Sequence, residues 1–309
     1  MYFYIMNKIF ENICFKLINL FVKTLGFIPK NTGTRLGAIA GHILFLADKK
    51  HRDIAIQNLG NAYKDEKTPL EIKIIARQVF KNLGRILFEV CWSWNLKGIK
   101  LFKHFRVEGL ANLNNAYKKG NGVLVLTGHI GNWELLSVIA AMIAYPINVI
   151  YRPLDFKPLD DFVKRFRSRF GSAPIHRRKA IRKILRSLNK GEVVGILLDQ
   201  SVDWYEGVFV DFFGRRTCTN TAMARLALKT GAPVVPAFLI RENKGFTAKF
   251  LPEIPLVKTG DKIKDVEINT ERYNKAVEDI IRQYPDQWFW VHRRWKIKPF
   301  ELLKKQEYV

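Results

Sequence analysis

Apolar positions along the chain follow two periods, and the change from one to the other divides the sequence. Near the N-terminus Ile9, Ile13, Leu17, Leu20, Phe21 and Leu25 recur at helical spacing, with Lys, Asn and Glu falling largely on the opposite side. Residues 33–47 and about 68–96 keep the 3.6-residue period, and Thr68-Pro69 with Glu71 forms a helix-start signature. At Asn121 the character changes. Short continuous apolar runs then appear at 122–127 (GVLVLT), 147–151 (INVIY), 193–198 (VVGILL) and 234–240 (VVPAFLI), as expected for buried, mostly parallel strands. Helical patterns at about 132–143, 158–169, 177–189 and 219–230 separate them, with Gly191, Gly231 and Gly245 punctuating the turns. The prediction is an α/β fold, a mostly parallel central sheet flanked by helices with a helical N-terminal extension. With no internal repeat and no long linker, residues 29–309 read as one domain preceded by an amphipathic helix over 1–28.

Composition adds a partner class. The 309 residues carry 52 Lys+Arg against 28 Asp+Glu, a net charge of +24, while 48% apolar residues exclude a disordered chain. Such a balance points to nucleic acid, anionic lipid or an acidic protein. From Lys164 to Lys190 there are eleven Lys or Arg and no acid, a one-sign block suited to phosphate groups. Stacking aromatics expected of a nucleic-acid site are missing there, since Phe162, Phe166 and Phe170 recur every four residues as one buried helical face. Three dispersed cysteines, Cys14, Cys91 and Cys218, form no CxxC, which argues for a reducing, cytoplasmic-side setting and against a Cys-based zinc site.

Membrane contact is expected without a clear span. Lys8, Glu11, Lys16 and Lys23 interrupt the apolar N-terminal stretch, leaving a helix that packs on its own domain or, as the basic chain favours, lies in the membrane interface, a tilted single span being the costlier alternative. The tail from Trp288 to Lys305 interleaves Trp with Lys and Arg, which fits an interfacial anchor or a closure of the core.

The chemistry-bearing segment is Thr127-Gly128-His129-Ile130-Gly131-Asn132-Trp133-Glu134, directly after an apolar strand. Two glycines allow a tight turn around the histidine, and Asn132 suits a helix N-cap that puts Glu134 in the first helical turn. On one continuous helix His129 and Glu134 would point about 140° apart. With His129 in the turn before the helix they can meet, the carboxylate fixing the imidazole tautomer and leaving its other nitrogen to take a proton. The alternative is a histidine that caps a turn and a glutamate that caps a helix. The carboxyl end of a strand in an open α/β sheet is where ligands bind, which favours the catalytic reading.

This H-x4-E box resembles that of the glycerolipid acyltransferase superfamily, and its surroundings are similar to the bacterial lipid A biosynthesis acyltransferases that add lauroyl or myristoyl chains. The segments carrying the resemblance are Ile54–Leu59, Tyr151-Arg152-Pro153, Lys190–Val194, Asp199-Gln200, Val208–Gly214, Thr230–Pro236 and Trp288–Lys296, in order over roughly residues 35–300. The resemblance implies acyl transfer from acyl carrier protein to a hydroxyl of a lipid A precursor, without metal or other cofactor, at the cytoplasmic face of the inner membrane on an anionic surface. It implies His129 as base and Glu134 as the carboxylate that orients it. Arg178, or else Arg152, would meet the oxyanion, and Arg177 would join them in binding substrate. Asp199 would hold substrate or position an arginine, or serve as a cap or structural ion pair. Phe209, Phe212 and Phe213 are candidates to line an acyl slot, or else form an ordinary strand edge. A glutamate in the box and no F-P-E-G-T-like segment separate the chain from most glycerol-phosphate enzymes. Another glycolipid or lysophosphatidate-type acyltransferase is the enzyme alternative, and a basic membrane-binding module the non-enzyme one.

Overall fold

The computed structural model describes residues 2–177, 180–242 and 245–295, with side chains from residue 7 onward. Four helices lead: α1 (Tyr2–Leu25), α2 (Lys30–Ala47), α3 (Lys49–Ala62) and α4 (Pro69–Trp94). The predicted start of α4 is a capping box. Thr68 accepts from the Glu71 backbone while the Glu71 carboxylate accepts from the Thr68 N–H, so two otherwise unpaired donors are satisfied.

After the short α5 (Ile99–Phe102), the chain alternates: β1 (Phe105–Glu108), α6 (Leu110–Tyr117), β2 (Val123–Thr127), α7 (Leu136–Ile143), β3 (Ile147–Tyr151), α8 (Lys157–Ser168), β4 (Ala173–His176), α9 (Ala180–Asn189) and β5 (Val193–Leu197). A hairpin follows, β6 (Gly207–Phe212) and β7 (Arg215–Asn220). Then come α10 (Ala222–Thr230), β8 (Val234–Glu242), β9 (Gly245–Phe250) and α11 (Lys262–Gln283).

Seven strands form one sheet in the order β1-β9-β8-β2-β5-β3-β4, and every neighbouring pair is parallel except β8 and β9. The four continuous apolar runs are the four adjacent strands β8, β2, β5 and β3, because only strands covered on both faces need side chains that are apolar throughout. Edge strands β1 and β4 alternate buried with exposed positions, which is why no such run announced them. One face is covered by α6, α7 and α8 through Leu113, Val138 and Phe166, joined by Val22 of α1 and Trp92 of α4. The opposite face is covered by α3, α9, α10 and α11 through Leu59, Ile184, Leu226 and Ile281.

Packing bears on two readings that the sequence left open. Trp288 and Trp290 are 1% and 0% exposed, and their rings meet edge to face at 4.5 Å, so this part of the tail closes the core instead of anchoring a membrane. The lysines of the tail from Lys296 onward lie outside the described residues. Helix α1 does pack on its own domain, Phe15, Ile18, Val22 and Leu25 facing α4 and α8, yet it leaves Phe10, Ile13, Leu17 and Leu20 in the open. Among the described residues no single helix is long and apolar enough to cross a membrane.

Candidate active site

Strands β2 and β5 run parallel in a register that pairs Thr127 with Leu197, so the residues two beyond each arrive at the same height on the carboxyl edge of the sheet. Those residues are His129 and Asp199. The His129 backbone N–H donates to Asp199 Oδ2 at 2.8 Å, and its ring Nδ1 lies 2.9 Å from Oδ1. Trp288 Nε1 donates to the same Oδ2 at 2.8 Å, so three donors converge on one fully buried carboxylate. Gly128 eases the approach: a Cβ there would sit a tight 3.1 Å from the Asp199 Cγ. Gly131, at φ +61°, turns the chain back against β8, where any Cβ would lie 1.8 Å from the Leu239 carbonyl oxygen. The turn is fastened to the segment after α11 by Gly131 N–H to Gln287 O and Phe289 N–H to His129 O.

The electrostatics follow from the burial. Burial alone would depress the His129 pKa, but the Asp199 charge and hydrogen bond, helped by the Glu134 charge, outweigh it and raise the pKa above its ordinary value. Asp199 is held well below the usual carboxylate range: burial opposes this, and the His129 charge and hydrogen bonds prevail. Because Nδ1 faces a carboxylate, it keeps its proton in the neutral ring, and the lone pair is on Nε2. The His129 side chain is 23% exposed, and it lies between the Trp133 ring at 5.1 Å and the Phe289 ring at 6.0 Å.

Glu134 is not the partner of the imidazole. It forms a two-bond fork with Arg167 of α8, Nε to Oε2 at 2.9 Å and Nη2 to Oε1 at 2.8 Å, and it also accepts from Trp133 Nε1. The expected His129–Glu134 contact is therefore replaced by two pairs, His129 with Asp199 and Glu134 with Arg167. The reason is local: after Gly131 a single turn of 3₁₀ helix over Trp133–Leu135 precedes α7 and directs Glu134 towards α8. Asn132 caps through its backbone alone. Its side chain instead donates to Glu89 of α4, a buried carboxylate also gripped by Arg241.

The other candidates are more dispersed. Arg152 and Arg177 stand at the carboxyl ends of β3 and β4, exposed on the same sheet edge and 3.7 Å from Asp155 and Glu206 respectively. Arg178 lies outside the described residues. Phe212 and Phe213 are core residues, their rings packed against Trp288 at 5.6 Å and Trp290 at 5.8 Å, so they line no open slot. Phe209 is half-buried on β6. His292 donates through Nδ1 to Phe289 O, and burial pushes its pKa down to about 4.

The residues that sequence reasoning passed over are Arg167, Trp288 and Glu89. Arg167 was hidden in the basic block, and Trp288 in an apparently interfacial tail. Glu89 carried a signal, a lone carboxylate within the apolar helical stretch Phe88–Trp94.

A histidine base held by a buried carboxylate at a strand's carboxyl end, with a second ion pair beside it, suits proton removal from a hydroxyl. The sequence pattern of the family described as bacterial lipid A biosynthesis acyltransferase matches residues 6–297. The chain belongs to that family. A lipid A biosynthesis palmitoleoyltransferase of Escherichia coli (strain K12) is 30% identical over 270 residues, covering 86% of this chain and 84% of the relative. The lauroyltransferase of the same organism is 27% identical over 268 residues, covering 86% and 85%. A myristoyltransferase from that strain is 24% identical over 272 residues, covering 87% and 81%. Relatives of this acyltransferase thus carry three different acyl chains in their names, so membership of the lipid A acyltransferase family alone does not set chain length. In this family member, both pairs lie inside the matched span.

Proposed function

We propose that this acyltransferase moves a fatty acyl chain from an acyl carrier protein thioester to a free hydroxyl of a lipid A precursor, at the cytoplasmic face of the inner membrane. The observation that carries the mechanism is the hydrogen bond from His129 Nδ1 to buried Asp199. With Nε2 unprotonated, His129 takes the proton of the acceptor hydroxyl as its oxygen attacks the thioester carbonyl. The tetrahedral intermediate collapses with loss of the carrier thiolate, which takes the proton back from the imidazolium, leaving ester and free thiol. Asp199 holds the ring and offsets the positive charge that forms on it.

Arg167, fixed by the Glu134 fork, supplies positive charge for the developing oxyanion, in place of the exposed Arg152 or the Arg178 first considered. Arg152 and Arg177 remain candidates for phosphate groups of the acceptor. Anionic groups on carrier protein and membrane fit the net charge of +24. Exposed Phe10, Ile13, Leu17 and Leu20 of α1 fit an interfacial helix.

The test is acyl transfer in detergent, offering acyl carrier proteins loaded with chains of different length to a tetra-acylated lipid A precursor, with lysophosphatidate as competitor. Transfer to the lipid A precursor supports the reading, and transfer only to lysophosphatidate would overturn it in favour of a glycerolipid enzyme. In the same assay Arg167→Ala is expected to lower kcat by roughly 10²–10³-fold, the size seen when one oxyanion donor is removed. Arg167→Lys, which keeps charge but loses the planar fork, should recover only part of that. Unchanged kcat in both would remove Arg167 from the mechanism.

A further inference from the structure

Helix α2 is built in the reverse sense from a helix that faces water. Its glycines Gly33, Gly37 and Gly41 recur every four residues and point into the protein. There they let two backbones touch: a Cβ on Gly41 would lie 2.1 Å from Phe80 O, and one on Gly84 of α4 would lie 2.0 Å from Gly37 O. Apart from Phe45, which is buried, the large side chains point the other way. Leu36, Ile39, Ile43, Leu44 and Leu46 are between 41% and 60% exposed. From Leu36 to Ala47 there is no Asp, Glu, Lys or Arg. In water the apolar stripe of a helix faces the core and its polar side faces out. Small residues at the helix–helix seam with large apolar residues outward is the arrangement of helices that pack against each other in lipid.

A second apolar face adjoins it. On α1, Phe10, Ile13, Leu17, Leu20 and Phe21 are each more than half exposed, and α2 is bent by 119° relative to α1 around Phe27, itself 74% exposed. So large a set of uncovered apolar side chains exceeds what scattered surface residues of a soluble monomer amount to. Exposed Lys16, Lys23, Arg35, Lys49 and Lys50 border the two faces, the complement of anionic headgroups. The charge-free run of α2 is about 18 Å long, well short of the ~30 Å hydrocarbon core, and the bend breaks any continuous span.

We propose that α1 and α2 together form a bent wedge lying within one leaflet of a bilayer that contains anionic lipid, fastened to the catalytic domain by the glycine seam between α2 and α4. This goes beyond the interfacial role given to α1 and does not depend on the acyl-transfer chemistry. Because α4 also carries Glu89, which holds Asn132 beside the site, one helix ties the membrane wedge to the catalytic turn.

The test is flotation of the full chain with vesicles of phosphatidylethanolamine and phosphatidylglycerol. Ile39→Glu combined with Ile43→Glu is expected to weaken vesicle partition at least about tenfold although α1 is intact. Ile39→Leu with Ile43→Leu should partition as the native chain does. Both side chains are exposed, so thermal unfolding in detergent should be unchanged. As a second measurement, Ile43→Cys in a Cys14→Ser background, labelled with a polarity-sensitive fluorophore, should shift to the blue when vesicles are added, Cys91 and Cys218 being buried. Flotation of the double-glutamate chain at native level, or no spectral shift, would overturn the proposal. So would a lipid-free dimer of the native chain that the glutamates abolish, since the face would then be covered by a second copy. Acyl transfer is not read in either measurement, so failure here leaves the catalytic proposal standing, and the reverse holds as well.

Discussion

In the His129→Ala chain acyl transfer is expected to fall by roughly 10³-fold or more, with vesicle binding little changed. A positioned general base contributes about 10²–10⁴ in rate, and Glu134, the nearest carboxylate in sequence, is tied up in its two-bond fork with Arg167. Asp199 cannot substitute, since it is fully buried and held far below the usual carboxylate range. His292 is weakly basic and donates through Nδ1 to the Phe289 carbonyl, within the same loop. Truncation also takes a charged partner from the fully buried Asp199, a destabilising change that the surviving donors, the residue-129 backbone N–H and Trp288 Nε1, offset only in part, so thermal unfolding is read alongside activity. Single-turnover transfer from a loaded acyl carrier protein to a lipid A precursor measures the effect directly. Activity within a few-fold of the native chain would remove His129 from the reaction.

Asp199→Asn is expected to cost roughly 10²–10⁴-fold in kcat, the range for losing a well-placed acid–base group. It should also move the pH profile, which a purely structural role would not do. Asp199 raises the His129 pKa, and the base works only when the ring is neutral, so native kcat/KM should fall as pH drops through a value above the ordinary 6.5. Removing the charge lets burial dominate, so the acidic limb should shift to lower pH in the asparagine chain even as the maximum falls. The amide also turns one acceptor into a donor facing the Trp288 Nε1–H and the imidazole, and leaving a buried donor unpaired costs about 1–3 kcal/mol. Thermal unfolding separates that loss from the catalytic one. A profile with an unmoved acidic limb would mean that Asp199 does not set the ionisation of the base.

Much of the architecture was legible along the chain. Runs such as VLVL within 122–127 and VVGILL carry no polar side chain because β2 and β5 are covered on both faces, and that requirement leaves a local imprint. Thr68 and Glu71 announced the start of α4, and Gly128 and Gly131 announced the turn, at whose Gly131 no other residue fits. His129 stood out as the candidate base from the same few residues, together with the ordered motifs of the family.

Which carboxylate serves it was not identifiable from the chain. Asp199 lies 70 residues away, and it meets the imidazole only because the parallel register of β2 and β5 brings two strand ends to the same level. Glu134, the neighbour in sequence, is turned towards Arg167, whose position depends on how α8 packs across the sheet. Phe212 and Phe213 show the same division, since an apolar residue on a hairpin can face a pocket or the core, and packing against Trp288 and Trp290 decided for the core. For α2, apolar periodicity announced a helix, but only its glycine contact with α4 decided which side is left to face outward. Local pattern thus determined the elements, the turn and the position of the histidine proposed as base. The partners of that histidine and the outward faces depended on contacts between segments far apart in the chain, set by sheet register and helix packing.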